Sequence, residues 1–167
     1  MKNALSIVLI LTLLFVFSGC SERNSMPEKL CLENFVSTVS FNEGENKITG
    51  IVCCSEAQNV SFTVTEPESI KGIVFSAKDG ETYVTYDGVQ IPIENSAILF
   101  ASQNGIDNLF EIILSCFLNP PEKSINSQYN AKYSLGEAVI TLDKSGQVAS
   151  IRAEKYNYIF TGMSESA

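Results

Sequence analysis

The chain has 167 residues, 45% of them hydrophobic, a formal net charge of −8, and neither histidine nor tryptophan. Without histidine, no Ser-His-Asp or Cys-His nucleophile system can be built, and zinc and copper sites that rely on imidazole are excluded. The acidic balance argues against nucleic acid as a partner and against electrostatic docking on anionic lipid headgroups.

Residues 1–19 read as an export signal rather than folded structure. Met1-Lys2-Asn3 is short and weakly basic, Ala4 to Phe17 is almost wholly apolar, and Ser18-Gly19 are small residues before a cut site. The apolar run is shorter than the roughly 20 residues a spanning helix needs. Phe17-Ser18-Gly19-Cys20 resembles the lipobox of bacterial lipoproteins, with Phe17 where the usual pattern has leucine. That resemblance implies cleavage between Gly19 and Cys20 and a diacylglyceryl group on the Cys20 sulfur. Two acyl chains anchor stably where one anchors only marginally. The membrane is then a partner through lipidated Cys20, and everything after Ser21 faces outside the cytoplasm. Removing residues 1–19 leaves 148 residues with 10 basic and 19 acidic side chains, a net of −9 and the size of one domain.

Residues 20–34 are expected to carry the lipidated cysteine and a tether, since Ser21 to Pro27 is polar and ends in proline. Residues 35–162 are expected to form the domain, and 163–167 a tail. Phe35 to Phe41 alternates, with Phe35, Val39 and Phe41 on one face, which is a strand period. Lys47 to Cys54 is a second strand, with Ile48, Val52 and Cys54 inward. Val60, Phe62 and Val64 alternate with Ser61, Thr63 and Thr65 in a third. Pro67 breaks that strand. Lys71 to Ala77 and Glu81 to Tyr86 follow, with Asp79-Gly80 and Asp87-Gly88 as turns. Val89, Ile91 and Ile93 make a short strand, which Pro92 places at an edge. The stretch from Phe35 to Ile93 is therefore a meander of about six strands at antiparallel spacing.

The period then changes. Ile106, Phe110, Ile113 and Phe117 recur at helical spacing, Asn104 is the expected N-cap, and Asn119-Pro120-Pro121 ends the helix. Polar positions within it are few, so it is buried over most of its circumference and lies across the concave face of the sheet. Strands resume over Gln128 to Leu135, Glu137 to Leu142, Val148 to Ala153 and Tyr156 to Gly162. The fold class is mainly β with one buried helix (α+β).

Four cysteines remain after Cys20: Cys31, Cys53, Cys54 and Cys116. They could form two disulfides in any of three connectivities. The favoured reading is that most are small buried apolar residues. Their spacings match no zinc or iron–sulfur motif, so no metal and no cofactor is expected.

The stretch from Phe62 to Ile73 (Phe-Thr-Val-Thr-Glu-Pro-Glu-Ser-Ile-Lys-Gly-Ile), with Asp79-Gly80 and Tyr86-Asp87-Gly88, resembles the LolA-type lipoprotein-carrier superfamily, in particular its small Gram-positive lipoproteins. The resemblance implies a strongly curved antiparallel sheet, an incomplete barrel, closed on its concave side by helical structure. Some members hold acyl chains in that cavity. One clear helix is visible here, and the chain reads as tethered rather than as a soluble shuttle.

Two functional readings follow. In the first, the protein is a non-enzymatic, membrane-anchored envelope module holding a lipid or other hydrophobic ligand in an apolar cavity lined by Phe62, Val64, Phe75, Phe110 and Phe117. In the second, it is a tethered interaction or structural domain with a sealed core. Exposed tyrosines among Tyr83, Tyr86, Tyr129, Tyr133, Tyr156 and Tyr158 would then meet another envelope protein. Catalysis is not expected: Glu66, Glu68, Asp79, Glu81 and Asp87 cluster in sequence but fall in turns, where carboxylates are commonly just solvated.

Overall fold

The computed structural model describes residues 30, 32–55, 59–78, 81–92, 103–124 and 127–165. The export signal, Gly19, Cys20, Cys31, Ile93 and the Asp79-Gly80 turn lie outside the described residues.

Alternation dictates the first half. Strands β1 (Phe35–Glu43), β2 (Asn46–Ser55), β3 (Asn59–Glu66), β4 (Val74–Lys78), β5 (Glu81–Tyr86) and β6 (Val89–Pro92) form a meander. In each of β1 to β3 a largely apolar set is buried on one side and a more polar set, Ser61, Thr63 and Thr65 in β3, lies on the other. Between β3 and β4, Glu68–Ile70 makes one 3-10 turn, so β4 starts at Val74, three residues later than the sequence pattern indicates. Asp87 and Gly88 join β5 to β6 with φ of 49° and 78°. Two positive values define the type I′ hairpin whose twist matches its strands. β6 is an edge strand, as Pro92 requires.

The helix α1 spans Gln103–Leu118, so Asn104 lies inside its first turn rather than at the cap. Five strands follow: β7 (Glu122–Lys123), β8 (Gln128–Tyr133), β9 (Gly136–Leu142), β10 (Val148–Arg152) and β11 (Asn157–Glu165). The strand order is β6-β5-β4-β3-β2-β1-β11-β10-β9-β8-β7, one antiparallel sheet not closed into a barrel. The pairing of β1 with β11 joins the two meanders. The chain therefore leaves the sheet at one edge, β6, and re-enters at the other, β7. Helix α1 lies in that crossover.

The helix shows how strongly the sheet curves. It packs against β8 and against β3, which have five strands between them. Six inter-strand steps measure about 29 Å along the sheet, whereas a helix with its side chains is only about 10–12 Å across. Both strands reach the same helix because the sheet wraps around it. Ile106, Leu109, Phe110, Ile112, Ile113 and Cys116 are all buried in that contact. Each large side chain so buried contributes roughly 1.5–3 kcal/mol.

Both expected domain bounds shift. Leu30 and Leu32, placed in the tether by sequence, are buried, and the Leu30 amide donates to the Pro121 carbonyl at 3.1 Å. Two apolar side chains in reach of the core dock there rather than stay in water. At the other end, β11 runs to Glu165, and Phe35 and Val36 pair with Glu165 and Ser164. Residues 163–165, expected in the tail, thus belong to the sheet.

Candidate functional site

The concave face is built from rows of inward residues brought into register by the hydrogen-bond ladder. One row runs Ser37–Val52–Phe62–Phe75–Val84–Ile91 across β1 to β6. The next runs Val39–Gly50–Val64 across β1 to β3 and continues on the far flank as the pair Tyr86–Val89. Directly opposed residues share a face, and so do residues two apart on a strand. Tyr86, Val89 and Ile91 therefore point the same way as Phe62 and Val64.

Exposure changes sharply along these rows. Phe62, Val64, Phe75 and Phe110 are sealed in the packed core, and Phe117 packs against it partly buried. Of the five residues expected to line a cavity, Phe62, Val64 and Phe75 thus form a floor on β3 and β4, and Phe110 and Phe117 belong to the helix that closes it. Past β3 the sheet continues beyond the strands that the helix mainly contacts. There Ile91 is 52% exposed, Tyr86 59% and Val89 61%. An apolar trough on β5 and β6 is left open to solvent, continuous with Val84 and Phe75. Sequence reasoning places Val89 and Ile91 on a strand but leaves them out of the site. Which edge strand lies beyond the helix depends on the strand order, which no local pattern carries.

A polar knot holds the covered half. The Tyr158 hydroxyl donates to the Gly105 carbonyl at 2.8 Å and lies 3.3 Å from Asn108 Oδ1. The Asn108 amide donates to the Tyr133 hydroxyl at 3.5 Å. The Tyr156 hydroxyl donates to Glu43 Oε1 at 3.1 Å, and Lys155 Nζ sits 3.9 Å from the same oxygen. Burial is the main cause that pushes the Tyr158 and Tyr156 hydroxyls above the ordinary phenol range, so both stay neutral donors. Losing such a donor leaves buried acceptors unsatisfied, at about 1–3 kcal/mol each. These bonds tie the N-terminal turns of α1 to β11 and β8, and β1 to the residue just before β11. They also correct the expectation of exposed tyrosines: Tyr129, Tyr156 and Tyr158 are buried, and Tyr86 alone of the six is exposed.

The cysteines divide in the same way. Cys54 and Cys116 are buried thiols outside any disulfide, and Cys53 is a half-buried one. Burial, with the neighbouring Cys53 next, pushes the Cys54 thiol up to about 12. Burial alone does the same for Cys116, to about 12. Of the carboxylates expected in turns, Glu66 and Glu81 lie instead at strand ends and Glu68 and Asp87 lie between strands; all four are exposed, and Glu68 pairs with Lys71 at 3.2 Å.

No protein-family model and no curated protein matches the chain. Solved structures do. The chain is similar to a LolA superfamily protein from Nitrosomonas europaea, at 11% identity and a TM-score of 0.43, covering 84% of this chain and 89% of that one. It is similar to a conserved protein from Thermus thermophilus, at 10% identity and a TM-score of 0.36, covering 79% and 78%. A third likeness is to a domain from Vibrio parahaemolyticus whose name assigns it to outer membrane lipoprotein sorting, at 8% identity and a TM-score of 0.40, covering 78% and 84%.

Proposed function

We propose that this protein is an envelope module, tethered outside the cytoplasmic membrane through a lipidated Cys20, that binds the apolar chain of a lipid or another hydrophobic ligand. The observation that carries the reading is the open trough: three inward-facing apolar side chains, Tyr86, Val89 and Ile91, each more than half exposed on a face otherwise sealed. An apolar chain laid there covers them and continues the row of Val84 and Phe75. The packing of Phe62, Val64, Phe75 and Phe110 favours a ligand lying on the flank over one enclosed beneath the helix. The sealed half also supports a second reading, in which the trough meets another envelope protein instead of a lipid.

The test is native mass spectrometry of the protein purified from cells, together with uptake of a fluorescent fatty-acid probe. A co-purifying lipid and saturable uptake support the first reading. An empty protein without uptake leaves the second. In the Ile91→Lys variant, probe affinity is expected to fall about tenfold or more, because covering one such side chain contributes roughly 1.5–3 kcal/mol. The position is exposed on an edge strand, so unfolding should move by no more than about 0.5 kcal/mol. Undiminished affinity in that variant would place the ligand elsewhere.

A further inference from the structure

The outer face of the sheet, over β2 to β5, carries a hollow of about 580 Å³. Its floor is a row of small side chains in register: Cys53 on β2, Ser61 on β3 and Ser76 on β4, ending against Tyr83 on β5. Strand alternation makes this the outer face, since Ser76 and Tyr83 flank the inward Phe75 and Val84. The volume falls within the range typical of small-molecule sites.

The chemistry of the hollow is neutral and rich in hydrogen-bonding groups. Its described lining holds one cation and one anion, Lys78 and Glu81, which face each other across β4 and β5. The adjoining outer row, Thr38–Ile51–Thr63–Val74–Thr85, has no charge across five strands of a chain at net −8. Hydroxyls of Ser61 and Ser76 and the amide of Gln90 offer both donors and acceptors. The Asn59 carboxamide oxygen, in the wall, is buried with no hydrogen-bond partner. The Tyr83 hydroxyl donates to Glu81 beside it.

We infer that this hollow binds an uncharged, hydroxyl-rich ligand of the saccharide class, on the face of the sheet opposite the apolar trough. Neutral lining disfavours phosphates and amines, because neither finds an unbalanced counter-charge among the described lining residues. Dense hydroxyl and amide groups beside an aromatic ring suit a molecule with many O–H groups and an apolar ring face.

Cys53 provides the readout, because it is the half-buried thiol in the floor whereas Cys54 and Cys116 are buried. The full chain, in a detergent without a sugar headgroup, is labelled with a maleimide in the presence of maltotriose or triacetylchitotriose, and labelling at Cys53 is read by peptide mapping. At millimolar sugar, one of the two is expected to slow Cys53 labelling about threefold, which corresponds to two-thirds occupancy. Glucose 6-phosphate should leave the rate unchanged. Ser76→Leu fills the floor from the solvent side and should abolish protection without lowering thermal stability. Gln90→Ala, on the exposed edge strand, should weaken protection if Ser76→Leu does not fold. Labelling unaffected by both trisaccharides, protection equal with the phosphate, or protection persisting in both variants would overturn the assignment. None of these outcomes depends on the fatty-acid probe, so this site and the trough are tested separately.

Discussion

Replacing Gly50 with alanine is expected to destabilise the fold by about 3 kcal/mol, the upper end of what overpacking a closed interior costs. A methyl group there would lie 2.4 Å from Phe62 Cζ and 2.5 Å from the Thr63 carbonyl oxygen. The ring could swing only into a core where Phe41 already packs against it, with centroids 6.1 Å apart. The carbonyl is backbone and cannot yield without breaking the β2–β3 ladder. Gly50 sits beside a bulge, where Thr49 pairs with Glu66 but Gly50 with Val64. The extra residue, Thr65, donates its hydroxyl to the Thr49 carbonyl at 3.1 Å. Bulges bend and twist a strand, and this one lies where β2 and β3 approach most closely at Gly50. Urea denaturation reads the effect: with a slope of about 1–3 kcal/mol/M, the midpoint should fall by about 1 M or more. A midpoint unchanged from the parent would mean that the close approach does not exist in solution. Gly105 is constrained in the same way at the helix, where an added methyl meets Phe41 Cε2 at 2.3 Å and Glu43 Oε2 at 2.8 Å.

Much of this architecture is legible in local pattern. The period-two alternation of Val60, Phe62 and Val64, the Asp87-Gly88 turn, the edge proline and the helical spacing of Ile106, Phe110 and Ile113 all depend on neighbours in sequence. What is not legible depends on pairing across the chain. The partnership of β1 with β11 follows from no local signal, and it draws residues 163–165 into the sheet. The docking of Leu30 against Pro121 is equally non-local. The tyrosines mislead for a related reason. A tyrosine is buried when its hydroxyl has a partner, and the partners of Tyr158 and Tyr156 are Gly105, Asn108 and Glu43, dozens of residues away. The site is half legible. Alternation assigns Phe62, Val64 and Phe75 to the concave face, and they lie there. The open part, Tyr86, Val89 and Ile91, emerges only once the strand order shows which flank lies beyond the helix.

Substituting Cys20 with alanine is expected to move the protein from the membrane fraction to the soluble one almost completely. Among the described residues no helix is long and apolar enough to cross a membrane. The net charge of −8 repels anionic headgroups, so no electrostatic attachment compensates. Acyl chains contribute about 0.8 kcal/mol per buried methylene, and a second chain turns marginal binding into stable anchoring. The docking of Leu30 adds a geometric constraint. About ten residues separate Cys20 from that fixed point, so the domain would lie at most about 36 Å from the bilayer, closer than a tether running to residue 34 would allow. The end of the sheet bearing Leu30, Leu32 and Phe35 is then expected to face the membrane. Metabolic labelling with an alkynyl palmitate followed by fractionation checks this. The parent should carry label and sediment with membranes, and Cys20→Ala should do neither. Retention of the unlabelled variant in washed membranes would show that residues 1–19 themselves hold the chain, as an uncleaved anchor.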